Sequence, residues 1–290
     1  MELDEQLRQR LITFQRNEIT EHLIYTRLAS ALGPSENRQI LERIAADELR
    51  HYKTWLNYTH TEIKPDMLHV WMYYVISRLL GLTFGIKLME RGEEAAQVSY
   101  KHLGQHIEEV GAIIQDENEH EEALIGLLDE ERLRYIGSIV LGLNDALVEL
   151  TGALAGLTLA LQDTRLIALS GTITGLAAAL SMGASEYLST KSEETSKEPL
   201  KASIYTGVTY VATVLILIWP YLFLDNFYVC LGWALTAAVL IIALFNTYIS
   251  VAKDEPFMKR FLEMAGVSLG VAGLSFLIGY VVRIALGVEI

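Results

Sequence analysis

Five stretches of this 290-residue chain, about 136–161, 166–190, 203–224, 227–251 and 262–285, are long and apolar enough to cross a bilayer. About twenty apolar residues coiled as a helix match the thickness of the hydrocarbon core. Residues 132–290 are therefore expected to form a five-span α-helical membrane domain. Residues 1–131 read differently. The first 134 residues carry 24 of the 36 acids, 15 of the 23 Lys and Arg residues and all seven histidines, a net charge of −9 against −13 for the chain.

Within the polar half, apolar residues recur at helical spacing: Leu3, Leu7, Leu11 and Phe14, then Leu23, Tyr25 and Leu28. Gly33-Pro34-Ser35 breaks the run, and Ser35 suits the N-cap of the next helix. Helix 1 is expected over 3–31 and helix 2 over 35–60. Glu18 then lies 13 residues before one end and Glu48 lies 13 after the next start, so a short-looped antiparallel pair holds both about 20 Å from the turn. A break near Gly104 repeats the arithmetic, with Glu90 lying 14 residues before it and Glu117 lying 13 after. His51 and His120 follow Glu48 and Glu117 at i+3, on the same helix faces.

One carboxylate from each of two helices and Glu-x-x-His from each of the other two is the ligand set of a dinuclear metal site inside a four-helix bundle. Glu18, Glu48, His51, Glu90, Glu117 and His120 are the candidate ligands. Residues 61–85 begin Thr-Glu-Ile-Lys-Pro-Asp and then run apolar, which reads as a crossover and the entry to helix 3. The remaining histidines (His60, His69, His102 and His106) and the acids Glu21, Glu94, Glu119, Glu121 and Glu122 read as surface groups, with His22 a neighbour of the site.

Composition excludes some classes. An acidic head suits the gathering of cations and opposes nucleic-acid binding, which needs Lys and Arg against phosphate. The single cysteine, Cys230, rules out an intrachain disulfide or a thiolate cluster within one chain. The opening Met1-Glu-Leu-Asp-Glu lacks a basic and apolar leader pattern, so the head is expected in the cytosol.

The apolar half carries its own ionisable groups. Asp145 and Glu149 are i,i+4 neighbours well inside the first span, and Met182 and Glu186 share a face of the second. Carboxylates inside a span are costly and mark ion pathways, and a thioether beside them favours a transition metal over Mg²⁺ or Ca²⁺. Lys191, Lys197, Lys201, Lys253, Lys259, Arg260, Arg132 and Arg134 fall on one side, against Arg165 on the other. The positive-inside rule expects the N-terminal part in the cytosol and the C-terminus outside.

Three resemblances sharpen this reading. Asn17-Glu-Ile-Thr-Glu-His-Leu-Ile-Tyr25 resembles helix 1 of the rubrerythrins in the ferritin-like superfamily, and Glu90-x-x-Glu93 resembles their third-helix motif. The latter implies that Glu93, or Glu94 in its place, is an extra ligand and that iron, or else Mn or Zn, fills the site. The rubredoxin-type Cys-x-x-Cys site of true rubrerythrins is absent. Gly142-Leu-Asn-Asp-Ala-Leu-Val and the string from Ser181-Met-Gly-Ala-Ser-Glu to Glu193 resemble spans 1 and 2 of the vacuolar iron transporter family. That likeness implies a homodimeric, proton-coupled Fe²⁺ carrier with Asp145 and Met182 on its path. The two-part layout is similar to the membrane-bound ferritin-like iron exporters of prokaryotes, which implies an all-α protein of the cell membrane exporting Fe²⁺, or Mn²⁺, in exchange for protons. The alternative is a membrane-anchored di-iron ferroxidase or peroxidase whose spans serve as an anchor.

Overall fold

A computed structural model describes residues 5–89, 91, 109–126, 134–193, 197–253 and 255–286. These residues form ten helices, and the chain divides into two compact units, Met1–Glu130 and Glu131–Ile290.

In the first unit, α1 (Glu5–Ser30) and α2 (Glu36–Thr59) make an antiparallel hairpin. Ser35 caps α2 as its spacing foretold, its hydroxyl accepting the Arg38 N–H at 3.2 Å. At the far end Gln15 and Thr59 join the two helices, Thr59 donating to the Gln15 amide oxygen at 2.7 Å.

The crossover contains more than the sequence suggested. Residues 67–80 form a separate helix, α3 (Met67–Leu80), capped by Asp66, which accepts from the Leu68 and His69 N–H groups. It lies against α1, where the Arg27 guanidinium sits 4.3 Å from the Trp71 ring centroid. Gly81 then turns the chain with φ 110° and ψ 150°, a conformation that a side chain disfavours, and α4 runs over 82–89. The helix carrying Glu117 is α5 (Val110–Gly126). The expected break near Gly104 lies outside the described residues.

The burial pattern explains where a polar site can sit. Leu11, Phe14, Trp55, Val110 and Ile113 form one apolar layer. Ile24, Tyr25, Leu28, Leu41, Ile44, Ala45 and Leu124 belong to another. Between the two layers, along α1, α2 and α5 alike, the inward positions are Glu18, then Glu48 and His51, then His120, all buried. The apolar register is interrupted at one level on three helices.

The second unit has five helices long and apolar enough to cross a membrane: α6 (Ile136–Leu161), α7 (Thr164–Ser192), α8 (Pro199–Phe223), α9 (Phe227–Lys253) and α10 (Phe257–Leu286). The third and fifth begin earlier than hydropathy alone suggested, since Pro199 suits a first helical turn and Phe257 follows Pro256 directly. Helix α6 is central, packing against each of the other four. Its Leu143, Ala146, Leu147, Leu150 and Leu154 form the heart of the apolar cluster with Tyr210, Val214 and Leu217 of α8.

Close approach of α6 and α8 depends on a missing side chain. A Cβ on Gly142 would stand 2.3 Å from the Thr206 carbonyl oxygen, while the Thr206 hydroxyl donates to the Ser138 carbonyl at 2.9 Å. Gly142→Ala should therefore cost about 1–3 kcal/mol through overpacking, read as a lower melting temperature in detergent. Gly232→Ala, which meets nothing within 4 Å, should melt as the wild type does. Equal melting of both variants would contradict this packing.

Candidate metal centre and membrane polar cluster

The polar level of the first unit gathers its groups from three helices. One ligand atom from each of Glu18, Glu48, His51 and Glu117 lies within 4.8 Å of the others, a spacing that could hold a metal ion. The detailed contacts divide into two halves. His51 Nδ1 lies 3.4 Å from Glu18 Oε2, 3.6 Å from Glu48 Oε2 and 3.4 Å from Glu117 Oε1. His120 Nδ1 lies 3.3 Å from Glu48 Oε1 and 3.9 Å from Glu117 Oε2. Glu48 and Glu117 thus each offer one oxygen to His51 and the other to His120, which is how a bridging carboxylate serves two ions.

These separations suit co-ligands of one ion better than hydrogen bonds. Two donors each about 2.1 Å from a metal stand roughly 3–3.5 Å apart. Glu48 Oε2, His51 Nδ1 and His120 Nδ1 are buried and have no hydrogen-bond partner among the described residues. Natural proteins seldom leave such atoms unmatched. Cations in the two halves would satisfy all three, and the mixed oxygen and nitrogen donors suit Fe, Mn or Zn. Glu90 and Glu93, the other ligands expected from sequence, lie outside the described residues.

Supporting contacts hold the ligands in place. Trp55 donates its indole N–H to Glu18 Oε1 at 3.0 Å. His51 Nε2 lies 3.0 Å from Asp116 Oδ2, and His120 Nε2 lies 3.1 Å from Asp47 Oδ2. Arg50 reaches both aspartates, Asp47 at 2.5 Å and Asp116 at 2.8 Å. Sequence reading missed Asp47, Arg50, Trp55 and Asp116. The signal was present, because both motifs read Asp-Glu-x-x-His. His22 turns away from the ligands, its Nδ1 paired with the Ala45 carbonyl oxygen at 2.7 Å.

The second unit places its ionisable groups on and around α6. Glu149, near the middle of the helix, accepts from the Tyr210 hydroxyl of α8 at 3.1 Å, yet remains exposed on the single chain. Asp145, one turn earlier, is half-buried. Glu186 of α7 accepts from the Ser138 hydroxyl of α6 at 2.5 Å. Met182 is half-buried against the apolar cluster. The Asn144 side-chain oxygen and the Thr151 hydroxyl are buried without hydrogen-bond partners among the described residues. Tyr210 and Ser138 escaped the sequence reading because single hydroxyls in an apolar run carry no periodic signal.

Titration in the first unit follows from this crowding. Burial alone would depress the His120 imidazole, but Glu117, Glu48 and Asp47 outweigh it and raise its pKa to about 10. His51 is likewise driven upward, burial opposing and Glu117, Glu18 and Glu48 prevailing. Burial, with Glu48 adding to it, lifts Glu18 to about 8 against the pull of His51. For Glu117 burial acts upward, but His120 and His51 bring the carboxyl down to about 2.

With the pKa of both imidazoles and of Glu18 raised, a cation binding here would compete with protons for these groups. The His120 proton stabilises the metal-free fold fully below its unfolded value of 6.5, and that contribution is lost as pH rises through about 10. Metal affinity should move oppositely, climbing between pH 6 and 9 by roughly tenfold per pH unit for each proton displaced. Addition of Mn²⁺ to weakly buffered protein with a pH indicator should show proton release. Affinity independent of pH would contradict the assignment of these imidazoles as ligands.

Comparison with known proteins places a VIT family domain at residues 136–198, which span α6 and α7 and contain Asp145, Glu149, Met182 and Glu186. No curated protein and no solved structure matches the chain. The five apolar helices and the VIT family domain suggest a multi-pass membrane protein that transports metal ions.

Proposed function

We propose that this protein exports Fe²⁺, with Mn²⁺ as the second candidate, from the cytosol across the cell membrane in exchange for protons. The first unit captures the metal on a dinuclear centre. The observation that carries this reading is Asp145 and Glu149 on α6, the helix that touches every other span, within the stretch that matches the VIT family. A mid-span carboxylate costs roughly 2.5–3.5 kcal/mol on insertion scales, and a mere anchor has no use for two of them.

The centre would be held by Glu18, Glu48, His51, Glu117 and His120, with Glu48 and Glu117 as bridges. Glu90 and Glu93 complete the set that the sequence proposes. A bound ion pair supplies a reversible store of divalent cation there, and the residues bind, orient and release protons as it loads. In the membrane unit Asp145, Glu149, Met182 and Glu186 form the path. Glu149 is exposed on the single chain at mid-helix depth, where lipid is a poor neighbour for a carboxylate. A second copy of the chain would cover it, so the transporter is a homodimer in which α6 faces the shared path. The bases near span ends, Lys191, Lys197, Lys201, Lys253, Lys259 and Arg260, support a cytosolic first unit.

Asp145→Asn keeps the side chain's size and removes the charge that alternately takes cation and proton. It should abolish Fe²⁺ flux and the coupled pH change in proteoliposomes while leaving metal bound to the first unit. Glu48→Ala combined with Glu117→Ala should do the reverse, losing the two bound ions and only slowing flux at high Fe²⁺. Wild-type flux by the Asp145→Asn protein would refute the path. Two ions retained by the double variant would refute the centre.

A further inference from the structure

The first unit buries its large apolar side chains everywhere but on one helix. Among its described residues the exposed ones are Met67, Leu68, Trp71, Met72, Val75, Leu79 and Leu80, and all seven lie on α3. Leu68 is 76 % exposed and Trp71 is 51 % exposed. Successive residues of a helix turn by about 100°, so Trp71, Val75, Leu68, Leu79 and Met72 fall within one arc of about 100°. Val70 and Ser77 lie on the opposite side and are buried. One stripe of α3 therefore packs on the unit and the other, equally apolar, faces outward. A concentration of this kind marks an interaction surface.

Charge and size select what covers it. Residues 67–80 contain no Asp or Glu, although the unit around them is rich in acids. Arg78 lies in the last turn, and Arg27 of α1 is held over the Trp71 ring. Asp66, the nearest acid in sequence, caps the helix and lies 2.8 Å from His69. An apolar face with a tryptophan, bordered by arginines, suits the headgroup level of an anionic bilayer. A second copy of the chain fits less well. The 14 residues of α3 make a rod about 21 Å long and about 10 Å wide. One face of it offers roughly 200 Å², a quarter of the roughly 800 Å² per partner in a stable protein interface. A bilayer sets no such minimum, and a chain with five apolar spans has one within reach.

We propose that α3 is a membrane-surface helix by which the first unit rests on an anionic phospholipid bilayer. Leu68, Trp71, Met72, Val75 and Leu79 enter among the acyl chains, and Arg27 and Arg78 meet the phosphates. The surface shares no residue with the metal cluster, so it stands whether or not that cluster holds an ion.

The test uses the full chain with Trp219→Phe and Trp233→Phe, which removes the tryptophans of the spans. It is reconstituted into phosphatidylglycerol vesicles with brominated acyl chains, which quench indole fluorescence on contact. Trp55 is fully buried, so quenching reads Trp71. The Trp71 emission, taken as the difference from the same protein with Trp71→Phe, should be mostly lost. Brominated phosphatidylcholine should quench it less, because the arginines then face no net negative charge. Leu68→Glu with Leu79→Glu should restore the emission, and the neutral pair Leu68→Gln with Leu79→Gln should restore part of it, with Trp55 emission unchanged in both. Full Trp71 emission in brominated phosphatidylglycerol would overturn the proposal. Quenching that survives both paired variants would overturn it too. Unquenched Trp71 together with a disulfide between two copies carrying Leu68→Cys, in a Cys230→Ser background, would assign the face to a second copy instead.

Discussion

Burying carboxylates away from water is among the most expensive arrangements open to a protein unless positive groups stand beside them, and this chain buries several in its first unit. Glu18 and Glu48 are 1 % and 2 % exposed between two apolar layers, with Glu117 beside them. The neighbouring carboxylates raise the pKa of both imidazoles against burial, and burial raises that of Glu18. Protons and a metal ion are thus alternative answers to one electrostatic problem, and the geometry that makes a proton necessary is the geometry that suits a cation.

That exchange depends on two apolar layers doing different work from the ligands. Trp55 shows the connection. Its ring belongs to the layer with Leu11 and Phe14, while its N–H holds one oxygen of Glu18. Packing and ligand orientation are therefore set by the same side chain. Asp47, Arg50 and Asp116 form a chain of ion pairs on the solvent side, where water weakens each of them.

The membrane unit meets a related constraint with other means. Its central helix α6 has an apolar face that anchors the cluster and a polar face bearing Asp145 and Glu149. Glycine at 142 lets α8 come close enough for Thr206 to reach the Ser138 carbonyl, and Ser138 in turn donates to Glu186. Hydroxyls are the partners of Glu149 and Glu186 here.

Periodicity carried much of this in the sequence itself. The five apolar stretches, the α1–α2 hairpin with its Ser35 cap, and the equal distances of Glu18 and Glu48 from their turn follow from local propensity and rise per residue. These are one-dimensional facts, and one dimension suffices for them. Tertiary structure alone decided what lies across from what. It made a separate helix of Met67–Leu80 in the crossover, because Gly81 can adopt φ 110° and break an otherwise continuous apolar run. It sent Asp47 to His120 and Asp116 to His51, it brought Tyr210 to Glu149, and it made α6 the helix that every other span touches. Such pairings depend on how helices rotate and cross once their apolar faces are buried; the repeated Asp-Glu-x-x-His spacing marks the residues but not their partners across the helices.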